Sequence, residues 1–407
     1  MIKTLLFLLF TVSIPIESKV GSLFNFGGGL NYTTFFLLIL LFSWFFSTQK
    51  KGEGFFLKNP LNAPISLFVI IVFAYLWIGH FRLDAPIWGN ELNAYKRFVT
   101  PFILFFVTVN NIKEKKTMKV ILYAMIFTIF LIALFSCKEY ARRAGEHYAR
   151  GLRVSVVGLQ TNHLGAFFAQ YLPVPLAFFV MNSGIVKRGA YLTVFILGTA
   201  ALMVTFSRGA YLSFIAGLSA ILIFCGGRRI WKIAAVGALI ILVVVCIVGP
   251  DRFLPTPVRE RVESIQDRSD RSITNRELVW EQAREYIRKS PIIGYGYGAS
   301  KYLLFMDSHN MYYDLMLETG IFGIMVFLWI LLRGFWLGRR LYKDSSDTLS
   351  KTVGMALMGS LFALAVGNIF GTRLDLVATN TYFMMLLGIA VRLTAINAST
   401  QMGHNKS

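Results

Sequence analysis

Arg208 stands between two long apolar runs, in Thr205-Phe206-Ser207-Arg208-Gly209-Ala210-Tyr211. A guanidinium at or near membrane depth is costly to desolvate, and an anionic partner is its usual compensation. Its planar fork pairs bidentately with phosphate oxygens; an arginine that snorkels to the interface is the alternative reading. His309, one of five histidines, opens another apolar run behind a long polar segment. A neutral imidazole there suits a general base, and also a helix-capping or interfacial residue. Asp307, Asp314 and Glu318 are close enough in sequence to orient it. Arg276, Arg284 and Arg288 recur at four- and eight-residue intervals with Trp280 among them. Such a stripe suits a sugar diphosphate, or else a solvated face on which Glu277, Glu281 and Glu285 are partners at i,i+4. Arg142, Arg143, Arg150 and Arg153 add cations whose role is open, before Asn162 and His163 at the head of the next run. No metal-binding HExxH, nucleophile-elbow GxSxG, phosphate-binding P-loop or carboxylate pair with metal spacing occurs. No cofactor and no metal are expected, and cations of the chain itself would have to stabilise negative charge.

The elements that position these residues are membrane helices. Apolar residues make up 56% of the 407-residue chain and charged residues only 15%, against about a quarter in soluble domains. The apolar residues gather into runs long enough to cross a bilayer, near 3–16, 30–48, 61–80, 95–110, 118–137, 161–181, 189–206, 209–225, 231–249, 310–332, 352–371 and 376–395. Backbone groups in lipid must satisfy one another, so these runs are helices. The expectation is an all-α polytopic membrane protein with about twelve transmembrane helices. Met1-Ile2-Lys3 and the run after it resemble a signal peptide, but no small-x-small cleavage site follows, so the first helix is expected to be retained. Cys137, Cys225 and Cys246 lie in or at the ends of apolar runs and read as small buried or lipid-facing residues.

The net charge of +20 would suggest nucleic acid in a soluble protein. Here most cations stand at helix ends, so they report topology and no nucleic acid is expected. Lys50, Lys51 and Lys58, then Lys113, Lys115 and Lys116, then Lys187 and Arg188, then Arg228, Arg229 and Lys232, then Arg333, Arg339, Arg340, Lys343 and Lys351 occupy alternate connections, which makes that side cytoplasmic, with both termini. The other connections face outward. Residues 1–249 then hold helices one to nine, 250–308 a large outer loop, 309–396 helices ten to twelve, and 397–407 a cytoplasmic tail. The loop carries Arg252, Arg259, Arg261, Arg268 and Arg271 before the stripe, against the usual charge bias of an outer segment. Within it, Thr274 to Glu277 reads as a capping box that starts an amphipathic helix over 275–289, ended by Ser290-Pro291. Gly294-Tyr295-Gly296-Tyr297-Gly298 reads as a flexible turn, and Gly320 and Gly323 as sites of close helix packing.

Three segments together resemble the O-antigen ligase / O-antigen polymerase superfamily of bacterial membrane glycosyltransferases: Thr205–Tyr211, Asn275–Gly298 and Ser308–Gly323. The number of spans and the single large late loop look most like the lipopolysaccharide O-antigen ligase. The resemblance implies a membrane glycosyltransferase fold of the GT-C-like kind in the bacterial inner membrane, with its site on the periplasmic face. It implies a metal-independent, inverting transfer from an undecaprenyl-diphosphate-linked O-antigen to lipid A–core oligosaccharide. Arg208, Arg276 and His309 match the family's motif positions, with His309 as catalytic base and the arginines on the diphosphate; Arg284 and Arg288 join them through the stripe. A polymerase of the same superfamily shares the donor chemistry. A flippase or transporter of lipid-linked sugars is the alternative from another class, though no internal repeat supports it.

Overall fold

The computed structural model describes residues 2–16, 32–49, 56–87, 91–144, 153–248, 271–304, 306, 308–371 and 376–404. Every apolar run named above is helical. The first is α1 (Ile2–Ser13), which ends in a 3-10 turn at Ile14–Ile16. Next come α2 (Tyr32–Gln49), α3 (Asn62–Leu83), α4 (Leu92–Asn111) and α5 (Lys115–Ala144). One apolar run is split in two, α6 (Thr161–Tyr171) and α7 (Pro173–Met181), because a proline lacks the amide that would continue the first helix. Then follow α8 (Ile185–Met203), α9 (Arg208–Cys225) and α10 (Arg228–Val248). The polar segment contributes α11 (Arg271–Lys289) and the short α12 (Ala299–Leu303). The chain returns to the bundle through α13 (Met311–Asp344), α14 (Thr348–Gly367) and α15 (Val377–His404). Among the described residues there is no strand, only an isolated bridge between Val156 and Leu159.

The protein is an all-α polytopic membrane protein. Among the described residues eight helical segments are long and apolar enough to span a bilayer, and Lys3–Ser13 and Thr34–Phe46 are shorter apolar helices. α4 and α10 complete the twelve runs. Side chains such as Phe81, Ile223 and Trp336 are 77%, 68% and 60% exposed, an arrangement that lipid, not water, would solvate.

α1 is part of the bundle. Phe7 and Phe10 are fully buried, and the Tyr382 hydroxyl of α15 donates to the Thr11 carbonyl at 2.6 Å. α13 gives the bundle its polarity. Its 34 residues extend about 50 Å at 1.5 Å per residue, well beyond a hydrocarbon core of about 30 Å. His309 sits at its head. At its tail Arg340 and Asp344 share a polar pocket with Lys115, and Lys115 pairs with Asp347 at 3.2 Å. The cations expected on the cytoplasmic side thus gather at the end away from His309.

Replacing Tyr382 by Phe removes this hydrogen bond from α15 to the α1 backbone. We expect a loss of about 1 kcal/mol, read as a lower midpoint of thermal unfolding in detergent.

Candidate active site

The site is built on a break in α13. At Gly320 the backbone leaves the helix, with φ 60° and ψ −155°, a conformation reserved for glycine. In an unbroken helix the Leu317 and Glu318 carbonyls would accept from the amides four residues on. Here they accept from Tyr295 N at 2.8 Å and Gly296 N at 2.9 Å, while Ile321 N donates to the Pro291 carbonyl at 3.0 Å. On the other side Tyr297 N donates to the Tyr75 carbonyl of α3 at 2.8 Å. The Gly294–Gly298 segment is therefore a strap wedged between α3 and α13, not the flexible turn expected from its glycines. Gly296 has φ 104°, and a Cβ there would collide with the Gly79 backbone. Gly320 does allow close packing, but against the Ile292 backbone of the loop and not against another helix. Arg82 at the end of α3 latches the strap, donating to Ser290 Oγ at 3.2 Å and to the Gly294 carbonyl; its guanidinium lies 5.5 Å from the centre of the Tyr295 ring.

α11 docks on this platform. Val279 and Ala283 are buried with Ala299, Leu304 and Leu317. Among the described residues the helix runs from Arg271, four residues before the expected start. Thr274 lies inside it and is no cap, because the residues before it continue the helix and satisfy the amides that a capping box would have served. The Trp280 indole donates to the Ser308 carbonyl at 2.8 Å and packs on the Tyr313 ring at 5.8 Å. His309 is thereby fixed from the residue before it. From the residue after it, Asn310 caps α13 by accepting from Tyr312 N at 3.0 Å and Tyr313 N at 3.3 Å, and Met311 N donates to the Asn368 carbonyl at 2.9 Å. Between these anchors His309 is held at φ 50°. A non-glycine residue rarely adopts that region, and it persists only where the surroundings impose it. Phe206, two residues before Arg208, is held in the same way at φ 51°.

A cavity of about 540 Å³ opens beside His309. Asp314 and Glu318, one and two turns into α13, line it with His309, and Ser300 Oγ donates to Glu318 Oε1 at 3.1 Å. Asn162 and His163 enter from the head of α6. Arg97 of α4 lines it too; it is exposed and makes no hydrogen bond or ion pair among the described residues. Lys301 completes the cationic wall and is tied at 3.3 Å to Glu91, which is 4% exposed. Burial, and then the same Glu91 carboxylate, push the Tyr302 phenol above its ordinary range. An apolar floor with a few convergent polar groups is the usual form of a small-molecule site.

The residues singled out in the sequence fall around this cavity unevenly. His309 lines it. Arg208, half-buried at the start of α9, does not line it, but its neighbours adjoin it: Gly209 packs on Phe370, which is in the cavity wall, and Ser207 Oγ donates to Asn162 at 3.3 Å. Arg276 precedes Trp280 by one turn on the face of α11 that reaches Ser308. Arg284 donates to the Tyr313 hydroxyl at 3.2 Å. Arg288 is exposed three turns beyond Arg276, so the stripe is not gathered at one point. The glutamates of α11 do not neutralise Arg284 or Arg288 among the described residues; Glu285 pairs instead with Lys289 at 2.7 Å, which lowers the carboxyl and raises the amine. Arg153 acts as a tie, donating to Asn162 Oδ1 at 2.7 Å and to the Thr205 carbonyl at 3.2 Å. Arg142 pairs with Glu139 at 3.0 Å. Asp307, Arg150 and residues 250–270, with Arg252, Arg259, Arg261 and Arg268, lie outside the described residues, as do the side chains of Arg143 and Arg271.

Sequence reasoning passed over Arg97 and the Lys301–Glu91 pair. The signal was Lys96-Arg97 at the head of an apolar run on the side that topology leaves poor in cations.

Residues 193–328, from inside α8 to inside α13, match the family described as O-antigen ligase. The match contains Arg208, α11, the strap, His309 and Gly320, and it assigns this segment to the O-antigen ligase superfamily. The family indicates an enzyme of the ligase or polymerase type acting on lipid-linked polysaccharide in the membrane. No curated protein matches the chain.

Gly296→Ala should dislodge the strap. Because catalytic geometry tolerates displacements of only about 1 Å, transfer should fall by roughly a hundredfold. Gly189→Ala, at a helical position with no atom near a new Cβ, should leave activity unchanged in the same assay.

Proposed function

We propose that the protein is an O-antigen ligase that transfers O-antigen from undecaprenyl diphosphate to lipid A–core oligosaccharide at the periplasmic face of the bacterial inner membrane. The observation that carries the reading is the cavity that His309, on a constrained backbone at the head of the longest membrane helix, lines together with Arg97 of α4, a guanidinium with no ion pair among the described residues. The donor's polyprenyl tail lies in lipid beside the bundle. Its diphosphate meets the cationic residues at the interface, Arg97 and Lys301 in the cavity, Arg208 and Arg276 beside it, and Arg284 and Arg288 along the approach.

The acceptor hydroxyl donates its proton to a neutral imidazole nitrogen of His309 as its oxygen attacks C1 of the donor's first sugar. The bond from C1 to the diphosphate oxygen breaks, the electron pair leaves with undecaprenyl diphosphate, and C1 is inverted. Asp314, one turn into α13 on the same wall, is the carboxylate placed to stabilise the imidazolium. A diphosphate is already a competent leaving group. What it needs is compensation of its growing charge, and guanidinium groups preorganised at a water-poor interface supply that without a metal. Holding two long lipid-anchored substrates at one cavity contributes mainly through orientation. The cation distribution supports the outward orientation, because the connections at the end away from His309 carry the positive charge.

Purified protein given a defined polyprenyl-diphosphate donor and isolated core lipid should join them, with no dependence on a membrane gradient, and activity should survive EDTA. Transfer onto a lipid-linked sugar unit in place of core lipid would identify a polymerase instead. His309→Ala should reduce turnover at least about a hundredfold with expression intact; full activity would remove the imidazole from the mechanism. Arg208→Lys should be nearly as damaging as Arg208→Ala, each costing about a hundredfold, since a point charge lacks the bidentate fork. Arg97→Gln should raise the donor KM more than it lowers kcat.

A further inference from the structure

A second cationic pocket lies at the opposite end of the bundle. α9 leads from Arg208, beside the cavity, to Cys225, about 26 Å away at 1.5 Å per residue. The Cys225 carbonyl accepts from the Tyr342 hydroxyl at the tail of α13 at 2.8 Å, far from His309. Just past it, Arg188, Arg228, Arg229 and Lys232 line a shallow pocket of about 440 Å³ together with Ile233. Among the described residues no carboxylate lines it. Arg188 is held by the Phe179 carbonyl at 3.2 Å and lies 4.9 Å from the Phe179 ring centre. Arg229 donates to the Asn182 carbonyl at 3.3 Å. These partners are neutral, so they fix the guanidinium groups without cancelling their charge. Arg228 and Lys232 make no hydrogen bond or ion pair among the described residues.

The placement opposes two helix dipoles. Arg188 lies in the first turn of α8, and the other three in the first two turns of α10; neither helix has an acidic residue in its first turn. Cations at the positive end of a helix are destabilising unless an anion compensates them. Membrane orientation asks only for positive charge in the connection; it does not ask that four cations converge on one pocket without an acid. The neighbouring pocket at the same end makes the contrast, since there Lys115 and Arg340 are matched by Asp344 and Asp347. The surface around the four cations is apolar and open, with Ile185 86%, Val186 82% and Trp231 56% exposed. Cations beside exposed aliphatic and indole side chains belong at the boundary between head groups and acyl chains.

We propose that this pocket binds the head group of an anionic phospholipid, with phosphate oxygens on Arg228 and Lys232 between the fixed guanidinium groups of Arg188 and Arg229, and acyl chains over Ile185, Val186 and Trp231. Four cations match a head group with two phosphates, such as that of cardiolipin. The site is separate from the donor's cavity and takes no part in the transfer.

The test is native mass spectrometry of the full chain in detergent, titrated separately with cardiolipin, phosphatidylethanolamine and inorganic pyrophosphate. Cardiolipin should bind the wild type at least about tenfold more tightly than phosphatidylethanolamine. The double variant Arg228→Gln/Lys232→Gln should weaken cardiolipin by about ten- to thirtyfold, one phosphate contact being lost at each position. Arg228→Lys/Lys232→Arg should retain it. Arg97→Gln, which alters the donor's cavity, should leave cardiolipin binding untouched, and the double Gln variant should keep wild-type transfer in detergent, so failure here and failure of the ligase reading are told apart. Cardiolipin binding no tighter than phosphatidylethanolamine, or unchanged in the double Gln variant, would overturn the proposal. So would pyrophosphate displacing cardiolipin from the wild type at equal concentration, which would make the pocket a site for a soluble anion.

Discussion

Three backbone amides hold the site together. Wherever a helix breaks at a membrane boundary its carbonyls lose their partners, and a buried carbonyl without a donor is costly. The break at Gly320 frees the carbonyls of Leu317 and Glu318, and the amides of Tyr295 and Gly296 take them up. The amide of Tyr297 extends the strap to the Tyr75 carbonyl of α3. With the strap seated, α11 has a surface to pack against, Trp280 reaches Ser308, and His309 cannot relax from its left-handed backbone. The loop and the kinked helix thus depend on each other: without the break the strap has no acceptors, and without the strap the break is unsatisfied.

The same constraint explains why chemistry sits at this end. The first three turns of α13 stand at the boundary, where a charged head group and an apolar tail can be bound together. Arg97 lies some two hundred positions before Lys301 and His309, and only the docking of strap and loop brings the three to one cavity. Arg153 performs the matching task on the other side, tying the head of α6 to the turn that carries Arg208.

The helices were legible because length and hydropathy are local properties; each apolar run of the sequence became a helix, with the first packed into the core. His309 stood out in the sequence for a local reason too, as a histidine that opens an apolar run behind a long polar segment, and the structure sets it in the cavity wall. The strap was misread because glycine spacing reports conformational freedom and does not say whether packing uses that freedom for mobility or for close approach. The start of α11 was misplaced because a capping box is a preference that a continuing helix overrides. Arg97 lay hidden inside an apolar run; its meaning comes from residues some two hundred positions away. The alternative of glutamate partners does not hold for Arg284 and Arg288 among the described residues, for a geometric reason: Arg284 turns toward Tyr313 and Glu285 toward Lys289.

The account requires that the cavity between α4, α12 and α13 open on the outer face of the inner membrane. Single cysteines placed at Arg288 and Lys301, in a chain whose own cysteines are replaced, can be challenged in spheroplasts with a maleimide that does not cross membranes. Labelling of both before the membrane is breached, with a cysteine at Lys116 labelled only afterwards, is the expected result. The reverse pattern would put His309 and its cations in the cytoplasm, where no periplasmic transfer could use them.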